Sequence, residues 1–101
     1  MVNIPTFKMD AKHLLKDDFD MYLSTNYDLF FRRIYEHINN RIDNIETDDL
    51  LCLIKDEDEE IFELRLPSQG FKKALNKTLE YFQLIEEYET CQLINDLKKY
   101  I

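Results

Sequence analysis

The sequence predicts an α+β fold, mainly helical, with two N-terminal helices, a β-hairpin and a C-terminal antiparallel αα-hairpin. Three observations carry this. Apolar residues recur at three- and four-residue spacing along most of the chain. The period drops to two at Phe62, Leu64 and Leu66, with Glu63 and Arg65 between them. One Gly and two Pro in 101 residues leave little material for irregular loops. The hydrophobic share of 45% and aromatic share of 13% exclude a disordered tail, and the length leaves room for one modest core, so residues 1–101 read as a single domain.

Residues 1–9 read as an extended arm broken by Pro5. Residues 10–45 read as a helical pair. Asp10 caps the first helix, in which Ala11, Leu15, Phe19, Tyr22 and Leu23 form the apolar stripe. Thr25 with Asp28 makes a loose capping box for the second, where Tyr27, Phe30, Phe31, Ile34, Tyr35, Ile38 and Ile42 form one broad stripe. Arg32, Arg33, Glu36, Asn39 and Asn40 fall mostly on its opposite, polar side. Residues 49–66 read as a β-hairpin with an acidic tip at Asp56–Glu59. Residues 68–101 read as two helices with a short turn at Glu86–Glu87. Phe71, Leu75, Leu79, Phe82 and Ile85 line the first, and Tyr88, Cys91, Ile94, Leu97 and Ile101 the second. A two-stranded hairpin is marginal alone, so it must pack on helices or extend its sheet with another chain.

The charge balance, Lys+Arg 13 against Asp+Glu 21 with net charge −8, argues against direct binding to nucleic acid. No run approaches the roughly 18 apolar residues of a membrane span. No basic-then-apolar leader opens the chain, and two cysteines make no disulfide framework, so a reduced, cytoplasmic setting is expected. Alanine occurs only at Ala11 and Ala74 while Ile, Asn, Lys, Asp and Tyr abound. That bias is typical of AT-rich coding, as in many bacteriophages and some bacteria.

Catalytic patterns are missing where they would have to be. Asp56, Asp58 and Glu60 alternate like the start of a calcium loop, but the loop's sixth and twelfth positions are Ile61 and Pro67 instead of Gly and Glu. His13, His37, Cys52 and Cys91 carry no zinc-ligand spacing, and both cysteines follow the core pattern. Asp48 or Asp49 with Glu63-Leu64-Arg65 is a poor copy of a two-metal nuclease core, because Arg stands where Lys belongs. A single glycine cannot build a phosphate-binding loop. The expectation is a protein that is not an enzyme and holds no cofactor or metal.

Residues Glu87-Tyr88-Glu89-Thr90-Cys91-Gln92-Leu93-Ile94-Asn95-Asp96 resemble the UVR motif, a small helical hairpin of repair proteins and bacterial stress-response adaptors. Tyr88 matches its aromatic position, Cys91 its first small position, Ile94 the aliphatic and Asp96 the acid, while Gln92 and Asn95 depart from it. The resemblance implies a protein–protein contact, often with another copy of the motif, in which Tyr88, Cys91 and Ile94 would pack.

The resulting expectation is a small acidic adaptor or regulatory protein, of phage or accessory-gene type, whose partner is another protein. A homodimer through the second helix or the C-terminal hairpin would bury surplus apolar surface. Two alternatives remain open. One is an acidic mimic of nucleic acid that inhibits a nucleic-acid enzyme through Asp56, Asp58 and Glu60. The other is a structural subunit whose 1–9 arm is ordered only by its neighbours.

Overall fold

The computed structural model describes residues 4–8, 25–55 and 58–101. Its elements are β1 (Thr6–Lys8), α1 (Thr25–Ile42), β2 (Leu50–Lys55), β3 (Ile61–Arg65), a 3-10 turn at Ser68–Gly70, α2 (Phe71–Leu84) and α3 (Tyr88–Lys98). The fold is therefore α+β and mainly helical. The β-hairpin and the C-terminal helical hairpin stand where the periodicity placed them. The helix expected over residues 10–23 lies outside the described residues.

The sheet has three strands in the order β1-β2-β3. β2 and β3 are antiparallel, while β1 joins β2 in parallel with Thr6 beside Leu53 and Lys8 beside Lys55. Of the stretch read as an extended arm, residues 4–8 are described, and Thr6–Lys8 form a strand of this chain's own sheet. Phe7 is buried edge-on against Phe30 at 5.9 Å, so the chain supplies its own third strand and anchors it in its own core.

β2 does not alternate. A bulge falls between Leu50 and Cys52, so Leu51 and Cys52 are both buried. α1 buries Phe30, Phe31, Ile34 and Ile38, and α2 buries Phe71, Leu75, Thr78 and Phe82. α3 adds Cys91, Ile94 and Leu97 to the same core. Each large side chain so buried stabilises by about 1.5–3 kcal/mol. α1 turns Phe30, Phe31, Ile34 and Ile38 of this stripe inward and leaves Leu29 54% exposed.

Polar residues on α1 also enter the interior. Arg33 is buried, contrary to its expected place on the solvent side, as are His37 and Glu46. At the end of α1 the chain reverses through Asn44, whose φ of 60° is left-handed, and the Ile45 and Glu46 N–H groups both donate to the Asn40 carbonyl. This turn returns Glu46 to the face of α1 that carries Arg33, His37 and Asn40. The five N–H donors of Arg33 then all find acceptors. Nε donates to Leu51 O at 2.7 Å, Nη1 to Glu46 Oε2 at 3.0 Å and to Glu36 Oε1 at 3.1 Å. Nη2 donates to Glu46 Oε1 at 2.6 Å and to Leu50 O at 3.5 Å. The bulge is thus what aims two β2 carbonyls at the guanidinium. Asn40 Nδ2 also donates to Glu46, at 3.1 Å. His37 sits with one ring nitrogen 3.3 Å from Glu46 and the other 3.2 Å from Leu66 O. Among the described residues no buried side-chain N or O lacks a partner.

Burial pushes the Glu46 carboxyl up, but the hydrogen bonds from Arg33 and Asn40 and the Arg33 charge outweigh it and hold it below its ordinary 4.5. Its stabilising contribution is therefore present above about pH 4.5 and lost as the pH falls through the lower, folded-state value. The stability gap between wild type and Glu46→Gln, from urea unfolding, is expected to narrow as the pH drops below 4.5. At neutral pH, Arg33→Leu leaves Glu46 buried without its cation and is expected to cost about 3–5 kcal/mol. The double variant Arg33→Leu/Glu46→Leu should recover part of that loss in the same urea titration.

Candidate protein-interaction site

The turn between α2 and α3 is the best-defined surface feature with unburied apolar side chains. Three residues join the helices, and Glu86 takes a left-handed φ of 60° to do so. The Ile85, Glu86 and Glu87 N–H groups donate back to the carbonyls of Tyr81, Gln83 and Phe82, closing the end of α2. Leu84 is 82% exposed, Tyr88 65% and Ile85 43%. They fall off the inward stripe of Leu75, Thr78 and Phe82 at the point where the chain reverses.

The turn is clamped to α1. Arg32 donates to Asp28 at 2.7 Å within α1 and to Glu87 Oε1 at 2.6 Å across to the turn, with its guanidinium 5.0 Å from the centre of the Phe82 ring. Glu87 Oε2 accepts from Thr90 Oγ1 at 2.7 Å, and Tyr81 OH donates to Asp28 at 2.7 Å. Phe31 stacks on Tyr81 with ring centres 4.8 Å apart. The Arg32 hydrogen bond holds the Glu87 carboxyl below its usual range. Burial raises Asp28, but the bonds from Arg32 and Tyr81 bring it below the ordinary value. Burial and the bond to Asp28 push the Tyr81 hydroxyl up to about 12. Half-exposed pairs such as Arg32–Asp28 contribute at most about 1 kcal/mol. Their effect is to fix the direction in which the turn points.

The expected contact residues divide. Tyr88 is exposed as the first residue of α3. Cys91 and Ile94 are buried at 6% and 0% and pack in the same core as Leu75 and Phe82, so they are not available to a partner. All three fall on one face of α3 by their spacing, but Tyr88 is the first residue of the helix, beside the turn, whereas Cys91 and Ile94 lie further along, where that face packs in the core. Leu84 was not legible as a surface residue, and its only signal is that it lies outside the α2 stripe. At the β-hairpin tip Asp58 and Glu60 are exposed beside Glu59, which has a φ of 63°. Asp56 lies outside the described residues. Phe62 is 43% exposed, although the alternation placed it on the buried face with Leu64 and Leu66.

The residues of the rejected nuclease pattern come together as ion pairs. Arg65 donates to Asp48 at 2.8 Å and to Glu63 at 2.6 Å, which lowers the Asp48 carboxyl. Arg41 holds Asp49 at 2.7 Å. Among the described residues no group of three or more His, Cys, Asp or Glu is placed to hold a metal ion, and no helix is long and apolar enough to cross a membrane. A groove of about 310 Å³ between α1, β2, β3 and α2 has an apolar lining that includes Phe30, Ile34, Leu51, Leu64 and Leu66, and its charged lining residues are Arg65, Lys73 and Lys77. Compared with family models, with curated proteins and with solved structures, the chain matches none of them.

Burial pushes the Cys52 thiol up to about 12, against a small opposing pull from the Arg33 charge, and Cys91 is buried as well. In a thiol titration with an aromatic disulfide at neutral pH, the native protein should show no fast-reacting cysteine, and the urea-unfolded chain should show both.

Proposed function

We propose that this chain is a small acidic protein-binding protein, of adaptor or regulatory type, which acts by docking the tip of its C-terminal helical hairpin on another protein. The observation that carries the reading is the exposure of Leu84, Ile85 and Tyr88 together on a turn that Arg32 locks to α1. A rigid apolar tip loses little conformational freedom on docking, and an exposed Tyr is the residue type most often found at the energetic centre of an interface. Glu86 and Glu89 flank the tip and favour a partner whose apolar pocket has a basic rim. The resemblance of this segment to the UVR hairpin points the same way, with the contact shifted from Cys91 and Ile94 to Leu84 and Ile85.

A second reading rests on the exposed acids Asp58, Glu59 and Glu60 at the other hairpin. It is an inhibitor that presents carboxylates where a nucleic-acid enzyme expects phosphates.

The two readings differ in salt dependence and in the residues that matter. A tagged pull-down from the native host, washed at low and high salt, is expected to retain the partner at high salt. Tyr88→Ala is expected to weaken the recovered complex about tenfold or more, a loss of about 1.4 kcal/mol or greater. A partner that elutes with rising salt, ignores Tyr88→Ala and is lost on replacing Asp58 and Glu60 by Ser would establish the mimic instead.

A further inference from the structure

Among the described residues, the outer edge of β3 has no strand beside it; its one neighbour is β2. The Leu66 N–H donates inward to the Asp49 carbonyl at 2.7 Å, and alternation along an antiparallel strand then turns the N–H and C=O groups of Glu63 and Arg65 outward. Ile61 is 61% exposed and Phe62 43%. Two of the usual protections of an edge are absent from the strand itself: the bulge is on β2, and Pro67 lies beyond the end. Its two charged side chains would repel a like-charged strand, but they complement each other.

We infer that β3 is a self-association edge, at which two copies pair β3 to β3, antiparallel, about a two-fold axis through Leu64. In that register Glu63 of each copy lies opposite Arg65 of the other, so the pairing that Arg65 makes with Glu63 and Asp48 within its own chain extends across the seam on the solvent face, and Phe62 lies opposite Leu66 on the apolar face. The neighbouring symmetric registers do worse. Centring the axis on Glu63 sets Glu63 against Glu63, and centring it on Arg65 sets Arg65 against Arg65. A shift by one residue exchanges the faces. The Leu64 register also carries the acidic tip Asp58–Glu60 of one copy to the level of Ser68–Gly70 of the other, next to the first turn of its α2, which holds Lys72 and Lys73. Two three-stranded sheets become one continuous sheet, and the α2–α3 tips remain outside the contact.

The test is the mass of the full chain by sedimentation and light scattering, from micromolar to millimolar concentration. Wild type is expected to rise to the mass of two chains. Glu63→Arg alone and Arg65→Glu alone each place like charges opposite one another twice, and each should weaken association about tenfold or more. The double swap Glu63→Arg/Arg65→Glu restores opposition and should restore the dimer. Thermal melts of all variants check that these exposed replacements leave the fold intact. Tyr88→Ala should not change the mass, which separates this contact from the partner-binding tip. A wild type that stays monomeric throughout overturns the inference. So does a dimer indifferent to the single swaps, or single-swap losses that the double swap does not recover.

Discussion

The guanidinium of Arg33 is the point on which the other elements depend. Taking a cation out of water costs several kcal/mol even after relaxation, so it stays buried only where every donor is met. Here that condition ties together three pieces of chain: α1 through Glu36, the 43–49 loop through Glu46, and β2 through the Leu50 and Leu51 carbonyls; His37, beside the same Glu46, adds the segment after β3 through Leu66 O. An all-apolar interior would tolerate small slips of the sheet along α1. A forked ion with fixed acceptor directions does not, because a slip of one residue would take the bulge carbonyls away from it. The network therefore selects one arrangement over its near competitors more than it deepens the well.

With the interior fixed in this way, the two surfaces proposed for contact among the described residues are the apolar helical tip and the β3 edge. They belong to different elements and make different demands on an occupant. The tip offers side chains without backbone bonds. The edge offers backbone bonds with a charge code. A protein that pairs through the edge presents two tips at once, so a partner with two pockets would be held by the second at the effective concentration set by the first.

What the sequence made legible was whatever periodicity alone decides. The stripe Phe71, Leu75, Leu79, Phe82, Ile85 and the stripe Tyr88, Cys91, Ile94, Leu97, Ile101 gave both helices of the C-terminal hairpin and the middle of each inward face, but not its ends, where Ile85, Tyr88 and Ile101 are exposed. The alternation at Phe62, Leu64 and Leu66 gave β3. Side chains whose place is set by distant partners were not legible. Arg33 sits at the margin of the α1 stripe and reads as solvent-facing until Glu46 is brought back by the left-handed turn at Asn44, a residue with no glycine to announce it. β1 has only three residues, too few for a period, and its strand character comes from β2. At the candidate site, the UVR resemblance groups Tyr88 with Cys91 and Ile94; the structure leaves Tyr88 exposed and buries the other two, because a run of helical spacing does not say where along it the helix leaves its neighbour.

The parallel docking of β1 has a consequence for the order of assembly. Thr6 pairs with Leu53, 53 − 6 = 47 positions away, whereas Lys55 and Ile61 of the hairpin are 61 − 55 = 6 apart. Closing the longer loop costs more chain entropy and is rewarded by only three residues of ladder and one buried Phe. Loop closure therefore favours an order in which the hairpin and α1 form first and offer the groove that β1 enters. Until then the β2 edge later covered by β1 is as open as that of β3. A chain whose β1 is undocked exposes the β2 edge as well as that of β3 to mispairing, and the docking of Phe7 on Phe30 closes it.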